Sequence, residues 1–469
     1  MNEHIQKVST GIEGVDEILY GGLICGRSYL LSGGPGTGKT TIGFHFLTTN
    51  EKEKSAFITF GESVNQLKTN AAILGFEMAN VSFLDFSPTS EFFTQSQSYD
   101  IFSSSSVESE PFIQKIMAEF QKNKPQRIFI DSMTHLKYIT PDTHQFRKMV
   151  YGFLRYLNEL KATVLFTSEN DTKTEDSDLR FLSDGVIELE RTHFERTISV
   201  LKFRGSDSKS GKHVFKIGDN GIEVFPKLVP ATYSREFKKE TISSGIPDLD
   251  ELLHGGIERG CVNIITGPTG VGKTSLGLQF MKEAAGRGER SVIYTFEEAK
   301  NLLIERSENI NIPVRKMMEK GYLSLIQIEP TKYSPDEFAY LVRKEVEEQD
   351  TKIIMLDSSS GYKLSMKGED IVYHLHSICK YMINMGVTVI LINEVTNIIG
   401  DFLATGLGIS YLADNLIFLR YYEYKGGLNK AIGVLKKRLT SFEKTLREFE
   451  ITGYGLKVGK PLLDFRGII

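Results

Sequence analysis

The amino-acid sequence predicts an α/β protein built from two similar domains, each with a mainly parallel central sheet covered by helices and a C-terminal hairpin extension. Three observations predict this fold class. The chain contains two glycine-rich phosphate-binding loops, the sequence around them repeats, and short apolar runs alternate with helical stretches in both halves. Alternation of this kind is typical of strands that pair in parallel through helical connections.

The repeat covers nearly the whole chain at an offset close to 234 positions. The segment Ser9–Leu23 reads STGIEGVDEILYGGL, and Ser243–Ile257 reads SSGIPDLDELLHGGI. Self-similarity at a fixed offset indicates duplicated structural units. We therefore expect an N-terminal domain at residues 1–235 and a C-terminal domain at residues 236–469.

Five apolar runs in each half predict the parallel strands. They read RSYLLSG, SAFITF, VSFLDF, RIFIDS and TVLFTS in the first half, and VNIITG, SVIYTF, LSLIQI, KIIMLDS and VTVILIN in the second. Their length and their β-branched and aromatic content are typical of buried strands. The runs VIELERTHFERTISVLKF and LIFLRYYEYKGGLNKAIGVLKK follow the fifth strand of each half and predict hairpins that extend the sheet.

Composition and charge are those of an ordinary soluble globular protein. Hydrophobic residues make up 40% and charged residues 25% of the chain, and the net charge is −4, so no overall basic field favours nucleic acid or a membrane surface. The cysteines Cys25, Cys261 and Cys379 are far apart and match no metal-site or disulfide spacing. Because the sequence has no signal peptide and no long apolar span, we expect a cytoplasmic protein without nucleic-acid or membrane partners.

Each phosphate loop matches the pattern G-x-x-x-x-G-K-[ST]. In such a loop the glycines let backbone N–H groups curve around the phosphates, the lysine reaches the terminal phosphate oxygens, and the following hydroxyl binds Mg²⁺. The predicted nucleotide-binding residues of the first loop are Gly33, Gly34, Gly36, Thr37, Gly38, Lys39, Thr40 and Thr41. Those of the second loop are Gly267, Thr269, Gly270, Val271, Gly272, Lys273, Thr274 and Ser275.

An aspartate ends a buried strand-like run in each half: RIFID ends at Asp131 and KIIMLD at Asp357. A carboxylate at this place emerges at the sheet edge beside the phosphate loop, where it helps to hold Mg²⁺. The predicted metal ligands are Thr40 and Asp131 in the first half and Thr274 and Asp357 in the second.

Glutamates that follow the second strand are candidates to act on the attacking water. Glu297 and Glu298 come directly after the run IYTF, and a carboxylate there can accept a hydrogen bond from a water in line with the γ-phosphate. The first half has Gly61 and Glu62 at the same place, so one carboxylate is missing. The alternative interpretation of these acids is a solvated charge at a helix start.

These motifs together resemble the KaiC family of RecA-fold ATPases, and the resemblance extends over nearly all of the chain. It rests on the GGL-containing segment with Asp16, the two phosphate loops, the acids ending at Glu62 and Glu298, and the strand-end aspartates. It also rests on two K-x-R triplets, which contain Lys202 and Arg204 in the first half and Lys436 and Arg438 in the second.

In that family the K-x-R pair reaches the γ-phosphate of the neighbouring subunit. The resemblance therefore implies a homo-hexameric ring of RecA-like domains with ATP bound between subunits. It further implies Mg²⁺-dependent ATP hydrolysis, a nucleotide-dependent regulatory or timing switch, and a KaiB-like or other signalling protein as partner. The alternative interpretation of the triplets is an exposed basic strand.

Two departures from the family pattern concern regulation. Ser410 matches the serine of the family's adjacent serine–threonine phosphorylation pair, whereas Tyr411 replaces the threonine. The resemblance therefore implies serine autophosphorylation at one site rather than two. The C-terminal tail that contacts a KaiA-type regulator in that family is expected to be absent. Contact with such a regulator through a tail is therefore not expected.

Three function classes stay open: a KaiC-like switch ATPase, which we favour, a serine/threonine kinase or autokinase on the same scaffold, and a RecA- or RadA-like DNA-dependent ATPase. The segments after Asp131 and Asp357 carry only scattered lysines and arginines, which does not favour DNA translocation. Because of Gly61, we expect the first site to bind ATP mainly as an assembly nucleotide and the second to turn over faster.

Overall fold

The computed structural model describes residues 5–87, 110–136, 142–169, 176–193, 195–366, 371–395 and 409–463. The chain divides into two compact units, Met1–Lys227 and Leu228–Ile469. This division lies slightly before residue 235, because the segment that follows Lys227 packs on the second unit. There the Tyr233 ring meets the Tyr381 ring edge-on at 5.1 Å. As limits of independently working domains, residues 1–235 and 236–469 stay a prediction.

The first unit alternates strands and helices up to its C-terminal hairpins. Its strands are β1 Lys7–Val8, β2 Leu23–Ile24, β3 Ser28–Gly33, β4 Ser55–Thr59, β5 Val81–Asp85, β6 Arg127–Asp131, β7 Thr163–Glu169, β8 Gly185–Arg191, β9 Arg196–Phe203, β10 His213–Gly218 and β11 Gly221–Phe225. Its α-helices are α1 Glu13–Ile18, α2 Lys39–Thr48, α3 Val64–Ile73, α4 Glu110–Asn123, α5 Thr143–Glu159 and α6 Ser177–Leu182, and a 3₁₀ turn covers Met133–His135.

The main sheet of the first unit has the order β11-β10-β9-β8-β3-β7-β6-β4-β5. The strands from β8 to β5 pair in parallel, and β8 to β11 pair antiparallel. The carboxyl ends of parallel strands meet at one sheet edge. The phosphate loop after β3 and the aspartate at the end of β6 therefore lie at the same edge.

The second unit repeats this arrangement. Its strands are β12 Thr241–Ile242, β13 Ile257–Glu258, β14 Val262–Gly267, β15 Ser291–Thr295, β16 Leu323–Gln327, β17 Ile353–Asp357, β18 Thr388–Glu394, β19 Asn415–Tyr424, β20 Gly427–Lys437, β21 Arg447–Thr452 and β22 Gly455–Pro461. Its α-helices are α7 Pro247–Leu252, α8 Lys273–Gly286, α9 Lys300–Glu308, α10 Val314–Glu319, α11 Pro335–Glu347, α12 Ser359–Ser365 and α13 Ile371–Asn384, with 3₁₀ turns at Pro230–Thr232 and Ile409–Leu412.

The sheet order of the second unit, β16-β15-β17-β18-β14-β19-β20-β21-β22, matches that of the first strand for strand. Its strands β16 to β19 are parallel, and its last four strands form the antiparallel extension. The predicted fold class, two RecA-like α/β units with a mainly parallel sheet and a C-terminal hairpin extension, is confirmed.

Each sheet is covered by apolar side chains on both faces. In the first unit one layer contains Phe44 of α2 against Phe57 and Phe129 of the sheet. The opposite layer contains Phe120 of α4 and Val150 of α5. Burial of each such aromatic side chain contributes about 1.5–3 kcal/mol, so these layers fix the helices over the sheet.

Helix ends follow local side-chain chemistry. The Asp142 carboxylate accepts hydrogen bonds from the amides of His144 and Gln145 at the start of α5. Ser334 and Glu337 form a reciprocal capping box at the start of α11. Such caps satisfy amides that have no partner inside the helix, typically contributing about 1 kcal/mol each. None of the described helices has both the length and the apolar character needed to cross a membrane.

Candidate functional site

The first phosphate loop joins β3 to α2. Gly36 (φ 69°) and Gly38 (φ 103°) adopt left-handed conformations that favour glycine, and α2 begins directly after Gly38. Lys39 Nζ donates hydrogen bonds to the carbonyls of Gly33 at 2.6 Å and Gly34 at 2.9 Å. The ammonium group therefore lies within the loop, where burial lowers the pKa of Lys39 and nearby carboxylates oppose the shift.

The second phosphate loop joins β14 to α8 with the same geometry. Gly270 has φ 75° and Gly272 has φ 116°, and a Cβ at Gly272 would lie 2.5 Å from Ile451 Cδ1. Lys273 Nζ donates to the Pro268 carbonyl at 2.8 Å, and burial lowers the pKa of Lys273. In both units the loop thus holds a buried cation at a helix N-terminus, an arrangement that suits phosphate.

A threonine and an aspartate meet beside each loop. Thr40 Oγ1 donates to Asp131 Oδ2 at 2.7 Å, and Thr274 Oγ1 donates to Asp357 Oδ2 at 2.8 Å. Both side chains offer hard oxygen ligands. Such ligands suit Mg²⁺, which proteins usually bind through one or two side chains together with the phosphates of the substrate. The structure therefore brings together the two residues that were predicted to hold the metal in each half.

The two aspartates differ in their surroundings. Thr167 on β7 donates a second hydrogen bond to Asp131, at 2.6 Å to Oδ1. The second unit has Ile392 opposite Asp357 in the sheet, and burial raises the pKa of Asp357 to about 6, opposed by the hydrogen bond from Thr274. Thr167 was not predicted from the sequence, because only the strand register places it beside Asp131.

The remaining predicted loop residues differ in what their side chains contact. Thr37 Oγ1 donates to the Gly34 carbonyl at 2.8 Å, and the Thr269 hydroxyl donates to the Glu394 carboxylate. The Val271 side chain is buried in the apolar core, so that only its backbone amide can face a phosphate. Thr41 and Ser275 lie in the first turns of α2 and α8.

A cavity of about 480 Å³ lies between the first phosphate loop and the end of β8. Its volume is within the range of small-molecule sites. It is lined by Gly33, Gly34, Pro35, Thr37, Glu188, Leu189, Glu190, Arg191 and Thr192. The Arg191 guanidinium lies over the loop, with one nitrogen 3.4 Å from where a Cβ at Gly36 would stand. Arg191 was not predicted from the sequence, because an arginine at a strand end belongs to no motif.

The glutamates after β4 and β15 lie at the same sheet edges. Desolvation and the Asp131 charge raise the pKa of Glu62, and Asn70 Nδ2 donates to its carboxylate at 3.5 Å. In the second unit, Glu298 forms an ion pair with Arg306 at 3.0 Å. Burial raises the pKa of Glu298, while the Arg306 charge opposes that shift.

Glu297 is exposed and close enough to Lys273 for its charge to oppose the lowering of the lysine pKa. The second unit therefore gathers the loop lysine, the strand-end aspartate and both glutamates at one edge of the sheet. The first unit gathers its lysine, aspartate and single glutamate in the same way. The alternative interpretation, a solvated charge at a helix start, describes Glu62 and Glu298 only in part. Glu62 interacts with the Asp131 carboxylate, and Glu298 interacts with the Asp357 carboxylate.

The K-x-R pair of the first unit is divided between two environments. Lys202 Nζ donates to the carbonyls of Arg180, Phe181 and Ser183 at 2.9, 3.2 and 2.6 Å, which lie at the C-terminal end of α6. Burial lowers the pKa of Lys202. Arg204, two residues further along, is exposed. The lysine thus binds its own subunit, and the arginine faces solvent.

The second K-x-R pair has a related arrangement. Lys436 Nζ donates to the Ala413 carbonyl at 2.6 Å, and Arg438 forms a 3.0 Å ion pair with Asp414 although its side chain is 57% exposed. Ala413 follows the 3₁₀ turn Ile409–Leu412. Ser410 belongs to that turn, and its side chain lies outside the described residues. The neighbouring Tyr411 ring meets the His376 ring edge-on at 5.8 Å.

Comparison with known proteins assigns both halves to one family. The family model described as the KaiC ATPase matches residues 8–229 and again residues 242–462. Together these matches cover most of the chain, one in each of the two structural units.

Individual relatives align with nearly all of this chain and with more than nine tenths of their own length. The circadian clock oscillator protein KaiC of Parasynechococcus marenigrum (strain WH8102) is 28% identical over 482 residues, covering 99% of this chain and 92% of the relative. The KaiC of Prochlorococcus marinus subsp. pastoris (strain CCMP1986 / NIES-2087 / MED4) is 29% identical, covering 99% and 93%. The KaiC of Synechococcus elongatus (strain ATCC 33912 / PCC 7942 / FACHB-805) is 28% identical, covering 100% and 92%.

Proposed function

The chain belongs to the KaiC family of ATPases, and on that premise we propose that it binds and hydrolyses ATP with Mg²⁺ at both phosphate loops of a homo-hexameric ring. We further propose that the nucleotide state of the ring selects a KaiB-like or other signalling partner, so that the protein works as a regulatory or timing switch. The observation that carries this proposal is the paired threonine and aspartate beside a buried loop lysine, present in both units.

Each site would hold the nucleotide through its own loop. The backbone amides at the N-terminus of α2 or α8 face the phosphates, and the loop lysine exchanges its carbonyl partners for phosphate oxygens. Thr40 with Asp131, and Thr274 with Asp357, would hold Mg²⁺, which supplies stabilisation of negative charge on the phosphate oxygens. This division of labour needs no covalent chemistry from the protein, because positioning and electrostatics account for phosphoryl transfer.

The exposed arginines are suited to act across a subunit boundary. Arg204 is exposed, and Arg438 reaches outward from a partly exposed ion pair. A cation that arrives only on assembly makes turnover depend on the ring, because it stabilises the charge that develops on the transferred phosphoryl group. We therefore propose that Arg204 and Arg438 act on the neighbouring subunit's nucleotide, and that Lys202 and Lys436 position them.

The two sites are proposed to differ in rate. Glu297 and Glu298 together flank the second site, whereas the first has Glu62 beside Gly61. Each well-placed hydrogen-bond acceptor for the attacking water contributes on the order of a hundredfold or more in rate. We therefore propose that the C-terminal site turns over faster and that the N-terminal nucleotide serves mainly in assembly.

Separate inactivation of the two loops tests this proposal. Lys39→Ala and Lys273→Ala are prepared as full-length chains, and native mass spectrometry first establishes that each still assembles. Phosphate release is then measured with Mg²⁺–ATP, and Lys273→Ala is expected to remove most of the turnover. Loss of most activity in Lys39→Ala with little loss in Lys273→Ala would reverse the assignment, and no phosphate release from the unmodified hexamer would refute the ATPase proposal.

Serine autophosphorylation is a second candidate, supported by the position of the turn Ile409–Leu412. Lys436 on β20 holds Ala413, the residue that follows this turn, and Arg438, directly after β20, is proposed to face the nucleotide between subunits. Transfer of the γ-phosphoryl group to Ser410 Oγ would release ADP and a proton. Intact mass spectrometry after incubation with Mg²⁺–ATP should then find one added phosphoryl group that Ser410→Ala removes. No added mass in the unmodified chain would leave the ATPase alone.

A further inference from the structure

The two units have exchanged a polar side chain and a glycine between two positions of the site. Gly61 and Glu297 are each the second residue after β4 and β15 respectively. His135 and Gly361 are each the fourth residue after the strand-end aspartate. The first unit therefore has glycine and histidine where the second has glutamate and glycine.

In the second unit the glutamate occupies the space in front of the glycine. A Cβ at Gly361 would lie 2.8 Å from Phe296 Cβ, 3.0 Å from Glu297 Cγ and 3.1 Å from Glu297 Oε1. Real Cβ contacts are rarely this short, so a larger residue at 361 would displace Phe296 and the glutamate side chain. Gly361 thus leaves room for Glu297 as well as for Phe296.

In the first unit the histidine occupies the matching space from the other side. A Cβ at Gly61 would lie 3.4 Å from His135 Cε1 and 3.7 Å from His135 Nε2. A side chain longer than alanine at position 61 would run into the imidazole. The half-buried His135 ring therefore stands where the side chain of residue 61 would extend.

The orientation of the imidazole suits a hydrogen-bond acceptor. His135 Nδ1 lies 2.9 Å from Ser132 Oγ. In the tautomer whose Nδ1–H donates to that hydroxyl, Nε2 is the acceptor nitrogen of the ring. Nε2 is one of the two imidazole atoms that lie within 4 Å of a Cβ placed at Gly61. Glu62, whose pKa is raised in part by the Asp131 charge, is the next residue along the chain.

We propose that His135 is the water-orienting residue of the first nucleotide site, in the place that Glu297 has in the second. This inference rests on the proposed ATP hydrolysis. The attacking water donates a hydrogen bond to His135 Nε2, its oxygen bonds to the γ-phosphorus, and the bond from that phosphorus to the β–γ bridging oxygen breaks. The bridging electrons leave with ADP, and the water proton passes through Nε2 to the phosphate product.

A neutral imidazole stabilises a water proton less than a carboxylate does, so the first site is slower than the second but not silent. The first site then uses an imidazole where the second uses a carboxylate, rather than only lacking the carboxylate. This distinguishes the proposal from a purely structural role for the nucleotide in the first unit.

The test uses the full-length chain with the second site silenced by Glu297→Gln and Glu298→Gln. In that background, turnover that Lys39→Ala abolishes belongs to the first site. His135→Ala is expected to lower this kcat by roughly 10- to 100-fold while KM changes less than about 3-fold. His144→Ala, at an exposed position nearby in the chain, serves as the matched control and should leave both unchanged.

Rescue distinguishes orientation of water from support of the fold. The pair Gly61→Glu with His135→Gly rebuilds the arrangement of the second unit and is expected to restore most of the kcat that His135→Ala loses. Gly61→Glu alone is expected to give no increase in kcat, because the imidazole remains in the way. Unchanged kcat in His135→Ala, or parallel loss of kcat, ATP binding and thermal stability without rescue, would overturn the inference. If the background binds ATP at the first site but releases no Lys39-dependent phosphate, the proposed ATPase activity of that site fails first.

Discussion

Acidification is expected to destabilise the first unit through His45, which lies on α2 behind the phosphate loop. His45 Nε2 accepts a hydrogen bond from the Ile222 amide at 2.8 Å, and the ring meets Phe76 edge-on at 4.7 Å. Burial lowers the pKa of His45 to about 4, and a hydrogen bond with the Gly11 backbone opposes the shift. Protonation would remove the acceptor that the Ile222 amide needs.

The sign and size follow from the two protonation equilibria. The folded-state pKa of about 4 lies below the ordinary value of 6.5, so the unfolded state binds more protons between these values and stability falls as the pH decreases through this window. The full loss is on the order of 3 kcal/mol below the folded pKa, and about 2 kcal/mol of it falls between about pH 7 and about pH 5.

Hydrogen–deuterium exchange with mass spectrometry measures this loss in each unit separately. After correction for the intrinsic pH dependence of exchange, the opening free energy of peptides from residues 39–48 should decrease by about 2 kcal/mol over that range. The second unit provides the control, because Gln279 occupies the position equivalent to His45. Its side-chain amide donates to the Ser244 carbonyl at 2.8 Å and does not titrate.

His45→Gln imports the residue of the second unit into the first. The variant is expected to lose most of the pH dependence that distinguishes peptides 39–48 from peptides 273–286. An equal decrease in both peptide sets, or an undiminished decrease in His45→Gln, would show that other groups govern the acid sensitivity and would refute the assignment to His45.

Two further predictions concern contacts at the site. Arg306→Ala removes the charge that opposes the raised pKa of Glu298, so the acidic limb of the pH–rate profile of the second site should move to higher pH. Arg306→Lys keeps a positive charge there and should leave the limb at its original pH. An unchanged limb in Arg306→Ala would exclude Glu298 as the titrating group. Gly43→Ala puts a Cβ 2.3 Å from the Phe129 ring and should destabilise the first unit by about 1–3 kcal/mol in chemical denaturation. Gly277→Ala is the control, since its Cβ meets a flexible methionine side chain; equal losses in the two variants would contradict the steric explanation.

Long, regular patterns made most of the fold predictable. The two phosphate loops and the ten apolar runs that predicted parallel strands carry their signal within a few neighbouring residues, and duplication presents each signal twice. The strand-end aspartates were predictable for the same reason, because parallel strands end at a common edge. Their hydroxyl partners Thr40 and Thr274 follow directly from the loop motif.

Contacts between residues far apart in sequence were not predictable in this way. Thr167 reaches Asp131 only through the register of neighbouring strands. The Arg306–Glu298 ion pair joins residues close in sequence, but it depends on how the chain turns between β15 and α9, and the arginine belongs to no motif that indicates a partner. The exchange at Gly61 and His135 was hidden because the two positions follow different strands, β4 and β6, so a comparison of the halves finds a missing glutamate before it finds the histidine.

The hydrogen bonds of Lys202 have a consequence for the arginine beside it. A long, flexible cation loses side-chain and backbone freedom when it is captured by a phosphate, and that entropy reduces the gain from the contact. Three carbonyls at the end of α6 already hold the lysine, so the backbone two residues before Arg204 is fixed before any partner arrives. The entropy cost of ordering that backbone is therefore incurred during folding. When a partner binds, only the rotamer freedom of the Arg204 side chain is lost.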